Sequence, residues 1–214
     1  MGPLPEIPPA INQPRLEKRK GGAGTRLWVE DLVGILGLVE IGAVEIHPWG
    51  VRVDDVEHPD TLVFDLDPGE GVEWGFVVET GLRLRDLLAA EGQDCWPKTT
   101  GGKGLHVMVP IEPEMDWDRA HAYTRGISER LAATAPDRYV TTAALDARPG
   151  RLFIDYLRNG RGTTAVGAYS PRACPGFPVA APVTWRAIER GLRSDAFSIW
   201  EPPQLPERPA RATS

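Results

Sequence analysis

Leu62-Val63-Phe64-Asp65-Leu66-Asp67, closed by Pro68-Gly69, is the stretch that decides the fold. In an extended strand, side chains alternate between faces, so Leu62, Phe64 and Leu66 enter a core while Val63, Asp65 and Asp67 share the other side. The two carboxylates then stand about 6.6 Å apart along the strand and repel each other. A divalent cation between them removes that penalty, because Mg²⁺ takes oxygen ligands at about 2.1 Å from a few carboxylates and substrate phosphates. The competing reading is a solvated strand end that runs into a turn.

A second apolar run, Leu152-Phe153-Ile154-Asp155-Tyr156-Leu157, again carries a single acid. Asp155 is either a lone surface acid or the third member of a carboxylate cluster on neighbouring strands. Arg148, Arg151, Arg158, Arg161 and Arg172 crowd it in sequence, as expected where phosphates are held beside a metal.

Between the two runs lies Lys98-Thr99-Thr100-Gly101-Gly102-Lys103-Gly104, leading into Leu105-His106-Val107-Met108-Val109. The glycines let the backbone approach a ligand closely and turn N–H groups inward, while Thr100 and Lys103 add a hydroxyl and a charge. A Walker loop opens a helix, whereas this loop opens an alternating strand with Leu105, Val107 and Val109 inward. A plain hairpin turn is the alternative.

The order Asp-x-Asp, Gly-Gly-Lys-Gly-Leu-His, then an isolated strand Asp resembles the archaeo-eukaryotic primase superfamily. Within it, the chain is similar to the primase-polymerase domain of bacterial ligase D, which serves non-homologous end joining. Further strings carry the likeness: Glu45-Ile46-His47-Pro48-Trp49-Gly50, Asp54-Asp55-Val56-Glu57-His58-Pro59-Asp60, and Phe153 through Gly162. It extends over residues 26–200. The resemblance implies that Asp65, Asp67 and Asp155 bind two Mn²⁺ or Mg²⁺ ions. It also implies that Thr100, Gly101, Gly102, Lys103 and His106 contact the triphosphate, that His47 lies near the sugar, and that Arg148 and Arg172 hold phosphates. The implied reaction is addition of ribo- or deoxyribonucleotides to DNA 3′ ends by two-metal catalysis. The implied partners are gapped or overhanging 5′-phosphorylated DNA ends, with Ku and the ligase and nuclease components of end joining.

Two departures stand out. Cys174 occupies the second arginine position of the usual Arg-x-Arg-Pro-Gly, and Thr100 replaces a serine. Relatives also carry an N-terminal subdomain that helps hold template and 5′-phosphate, whereas the recognisable part here begins near Thr25. A truncated, non-catalytic module that binds nucleotide or DNA ends is therefore a second reading. A haloacid-dehalogenase-type phosphatase also begins with Asp-x-Asp, but Gly69 stands where its Thr or Val belongs and Asp155 has no acidic neighbour.

The 214 residues, 42% hydrophobic and 25% charged, suit one soluble enzyme domain. Nine of the 21 prolines fall in residues 1–24 and 202–214, which read as flexible segments around a catalytic domain at 25–201. The net charge of −6 argues against generic nucleic-acid binding. Its distribution does not: eight acids and no Lys or Arg lie from Asp54 to Trp74, and eight arginines against two acids lie from Arg148 to Arg193. Two cysteines provide no disulfide framework, and neither a signal peptide nor a membrane span is visible, so a cytoplasmic, nucleoid-associated protein is expected.

Strands are expected near 43–47, 62–67, 105–109, 139–142 and 152–157. Helical stripes appear at Leu32/Ile35/Leu36/Val39, Val77/Leu84/Leu87/Leu88, Trp117/Ala120/Ile127/Leu131 and Trp185/Ile188/Leu192, all read as core. The fold class that follows is α/β or α+β, with a mixed or antiparallel sheet whose acidic face forms a cleft between flanking helices. His58 and His121 are read as residues without a site role.

Overall fold

The computed structural model describes residues 6–17 and 21–204. A short hairpin, β1 (Arg15–Glu17) and β2 (Ala23–Thr25), precedes helix α1 (Leu32–Glu40). The main sheet then takes β3 (Thr61–Pro68), β4 (Trp96–Thr99), β5 (Leu105–Pro110), β6 (Tyr139–Val140), β7 (Leu152–Asp155) and β8 (Ala181–Pro182). Helices α2 (Trp74–Ala90), α3 (Trp117–Ala133) and α4 (Trp185–Glu189) complete the architecture.

The strand order is β6-β7-β3-β5-β4-β8, parallel only between β6 and β7, so the sheet is mixed as expected. Strand β3 lies in its interior because its alternation supplies two usable faces. On one face Leu62, Phe64 and Leu66 are fully buried, in register with Val109, Val107 and Leu105. Val77, Leu84 and Leu88 of α2, Ala120, Ile127 and Leu131 of α3, and Ile188 of α4 close this core. Burying a large aliphatic or aromatic side chain contributes about 1.5–3 kcal/mol, so these contacts fix which face of β3 points inward. The opposite face is left to Asp65, His106 and Lys98, and loops cover it instead of helices.

Several expectations are corrected. Residues 43–47 form no strand: Ile46 N donates to Ser170 Oγ and Ile46 O accepts from Gly167 N, so these groups cross-link loops and do not build a ladder. The expected strand at 139–142 ends at Val140, and the one at 152–157 ends at Asp155. Strands β4 and β8 were not foreseen.

The first stripe faces outward, with Leu32, Leu36 and Val39 more than half exposed. Helix α1 instead turns Gly34 and Gly37 inward, where a Cβ would meet Val29 at 2.7 Å and Ile11 at 3.3 Å. Ile11 is accordingly buried, and the expected boundary at residues 24/25 falls inside β2. Residues 1–5, 18–20 and 205–214, parts of the two segments read as flexible, lie outside the described residues.

Candidate functional site

Strand register assembles the site. Asp65 on β3 is the Cα partner of His106 on β5 and of Asp155 on β7, and His106 is in turn the partner of Lys98 on β4. Two aspartates separated by 90 positions in sequence thus stand side by side, with Asp67 two residues along on the same face as Asp65.

His47, Asp65, Asp67, Thr100, Gly102, Lys103, His106 and Arg172, all singled out from sequence, line one cleft of about 300 Å³. The other three play different parts. Arg148 donates from Nη1 to Asp67 Oδ2 at 2.8 Å and rests over the Phe153 ring. Gly101 adopts φ +69°, a left-handed conformation that suits glycine, and its N–H donates to Ser194 O. Asp155 is 6% exposed, accepting from Leu157 N at 2.8 Å and pairing with Arg158 Nε at 3.2 Å.

The cleft lies between the sheet and loops, not between helices, because α2, α3 and α4 are committed to the opposite face. The loop Thr100–Gly104 is held from below. Thr100 Oγ1 donates to Gly104 O at 3.1 Å, and Ser194 Oγ donates to the same carbonyl and accepts from Thr100 N. A Cβ on Gly104 would stand 2.7 Å from Leu66 O, so the loop closes on β3 only because residue 104 has no side chain.

Electrostatics distinguish the three acids. Burial works to raise the Asp65 carboxyl, but His106 Nε2 at 3.5 Å and Arg158 Nη2 at 3.3 Å outweigh it and hold the carboxyl below its ordinary value. Asp67 and Asp155 are raised, chiefly by burial, with the Asp65 charge adding to it. Lys98, 3% exposed, is pushed down to about 8 by burial, and its Nζ donates to Val166 O.

The donor chemistry of the acids suits a hard divalent cation, since all three offer carboxylate oxygens from adjacent strand positions. As they stand, however, a guanidinium occupies the cationic position: Arg158 bridges Asp65 and Asp155, and Arg148 binds Asp67. Among the described residues, no three His, Cys, Asp or Glu groups are disposed to hold a metal ion.

In the sequence Arg158 is one of several nearby arginines, and neither Ser194 nor Glu45 carries a local signal of a site role. Glu45 pairs with both His47 and Arg172, a relationship that a separation of 127 residues hides.

A family description, the primase-polymerase domain of LigD, matches residues 3–211. The chain belongs to the LigD primase-polymerase domain family. Its match extends into both proline-rich segments, 1–24 and 202–214. The multifunctional non-homologous end joining protein LigD of Pseudomonas aeruginosa is 35% identical over 178 residues, covering 83% of this chain and 21% of that protein. The LigD of Mycobacterium tuberculosis is 30% identical over 190 residues, covering 85% of this chain and 25% of that protein. The chain thus spans about a fifth to a quarter of these relatives' length. The solved polymerase domain of M. tuberculosis ligase D in complex with DNA superposes with a TM-score of 0.78 at 29% identity. That match covers 85% of this chain and 66% of the solved one. Among the described residues, no helix is long and apolar enough to cross a membrane.

Proposed function

We propose that this domain is a divalent-metal-dependent nucleotidyltransferase that adds nucleotides to DNA 3′ ends during end joining. The observation that carries the reading is the register of β3, which puts Asp65 beside both Asp155 and His106 at the mouth of the glycine loop.

In this reading Asp65, Asp67 and Asp155 hold Mn²⁺ or Mg²⁺ once Arg158 and Arg148 give up the carboxylates. When bound, such ions supply Lewis acidity to the attacking 3′-hydroxyl and to the leaving pyrophosphate. The protein's own contribution is placement. Lys103 and Arg172, both lining the cleft, offer positive charge to a triphosphate, and Gly102 and Gly104 beside them keep the loop free of side chains there. His47, which lines the cleft, is assigned to the sugar of the nucleotide in this reading. Arg158, 42% exposed at its side chain, moves at little cost from the carboxylates to a phosphate. A cleft with these groups binds the 3′ end of a gapped or overhanging DNA, the setting in which Ku and the ligase and nuclease parts of end joining act beside the nucleoid.

The arginine-bound acids favour a second reading, a module that binds nucleotide or DNA ends without turnover. Primer extension on a 5′-phosphorylated gapped duplex with Mn²⁺ or Mg²⁺ separates the two, with ribo- and deoxyribonucleotides compared. Incorporation that disappears in Asp65→Ala supports the transferase. Nucleotide binding without incorporation supports the module, and phosphate release from small phosphoesters would point to a phosphatase.

A further inference from the structure

Glu45 lies outside the acidic strand face, yet its carboxylate is the point at which two side chains of the cleft, His47 and Arg172, meet. Its Oε2 accepts from His47 Nε2 at 2.7 Å and pairs with Arg172 Nε at 3.2 Å. Its Oε1 accepts from the backbone N–H of Ala173 at 2.7 Å. Arg172 is fixed from its far end as well, donating from Nη1 to Thr100 O in the glycine loop at 3.0 Å. The chain of contacts therefore runs His47, Glu45, Arg172, glycine loop, and it joins three segments that are distant in sequence.

We propose that Glu45 is a positioning residue for nucleotide binding, holding the His47 ring and the Arg172 guanidinium in place before a triphosphate arrives. This rests on the reading of the cleft as a nucleotide site. The physical case is preorganisation. Both partners have long or rotatable side chains, and both are about a third exposed, so without the carboxylate His47 samples several rotamers, Arg172 keeps only its bond to Thr100 O, and binding must immobilise them. The anchor fixes ring and guanidinium beforehand, and it directs His47 Nε2 toward the carboxylate, so that Nδ1 is the ring nitrogen turned away from Glu45. A carboxylate this close to a triphosphate also repels it, which sets an opposing effect. That repulsion is screened at an exposed site, and the Glu45 charge is already paired with the Arg172 guanidinium. The same contacts, the His47 hydrogen bond first and the Ala173 N–H second, hold the Glu45 carboxyl at about 2, so it remains ionised throughout the working pH range.

The backbone around Glu45 has its own anchors, Ile46 N to Ser170 Oγ and Gly167 N to Ile46 O, both 2.8 Å. The loop accordingly keeps its course without the Glu45 charge, and Glu45→Gln is a usable probe: its amide oxygen still accepts from Ala173 N, but its amide nitrogen cannot accept from His47 or Arg172.

The test is calorimetric titration of the protein with ATP in the presence of Mn²⁺, comparing wild type, Glu45→Gln, the double variant His47→Ala/Arg172→Ala, and the triple variant. The expected result is about a tenfold rise in the dissociation constant for Glu45→Gln, with unchanged thermal midpoint. In the His47→Ala/Arg172→Ala background the added Glu45→Gln change has no further effect, because the two side chains through which it acts are gone. Equal or tighter ATP binding by Glu45→Gln overturns the proposal, as does a tenfold loss that persists in the double-variant background. Failure of wild type to bind ATP overturns the nucleotide-site reading itself, a distinct outcome.

Discussion

Asp65 and Asp155 are Cα partners across β3 and β7, and the Arg158 guanidinium spans their carboxylates. Buried like charges this close are unfavourable unless a cation lies between them, so the pair is a cation-binding position that an arginine fills.

Asp155→Asn tests the functional side of that pairing. Asn keeps an oxygen to accept from Leu157 N and removes a charge that burial disfavours, so urea unfolding should show stability equal to wild type or slightly above it. Nucleotide incorporation should fall by a hundredfold or more, about 2.7 kcal/mol of barrier. A folded Asp155→Asn protein with wild-type turnover removes Asp155 from the site.

Arg158→Gln tests the arginine as the cation's competitor. Removing the guanidinium frees Asp65 and Asp155 and deletes a positive charge beside them, so Mn²⁺ binding should tighten by about threefold at low salt, less in 0.5 M NaCl. Weaker Mn²⁺ binding in Arg158→Gln would mean that Arg158 supports the metal site and does not compete for it.

What the sequence made legible follows from how local each cause is. Strand β3 was readable because its apolar and acidic positions alternate without interruption. Asp155 was readable as an isolated acid in an apolar run, but its pairing with Asp65 depends on inter-strand register, which no local pattern encodes. Strand β4 escaped because Trp96-Pro97-Lys98-Thr99 places Pro, Lys and Thr where a strand reading looks for apolar residues. Lys98 and Thr99 are nevertheless buried, their polar atoms taken up by Val166 O and Ala181. Helix α1 misleads in the other direction, because the residues it buries are Gly34, Gly37 and Leu38, and not the Leu32/Ile35/Leu36/Val39 stripe.

That inversion yields a stability contrast. Leu84 on α2 is fully buried, and Leu84→Ala should cost about 2–5 kcal/mol in denaturant unfolding. Leu36 on α1 has the same side chain at 57% exposure, and Leu36→Gln should change stability by no more than about 0.5 kcal/mol. A loss of 2 kcal/mol or more from Leu36→Gln would show that the outward face of α1 is covered.

Lys98 makes stability depend on pH in the alkaline range. Burial lowers its ammonium from 10.5 to about 8, so the folded state gives up this proton more readily than the unfolded chain. Above 10.5 both states are neutral and the group adds no penalty. As the pH falls from 10.5 to 8 the unfolded chain takes up the proton first, and folding loses stability by about 3 kcal/mol in total, with no further loss below 8. Lys98→Met removes the titration, along with the hydrogen bond to Val166 O. The unfolding free energy of wild type relative to Lys98→Met should therefore rise by about 2 kcal/mol between pH 8 and pH 10 in urea titrations. A difference that stays flat over that interval would mean that Lys98 keeps an ordinary lysine pKa in the folded protein.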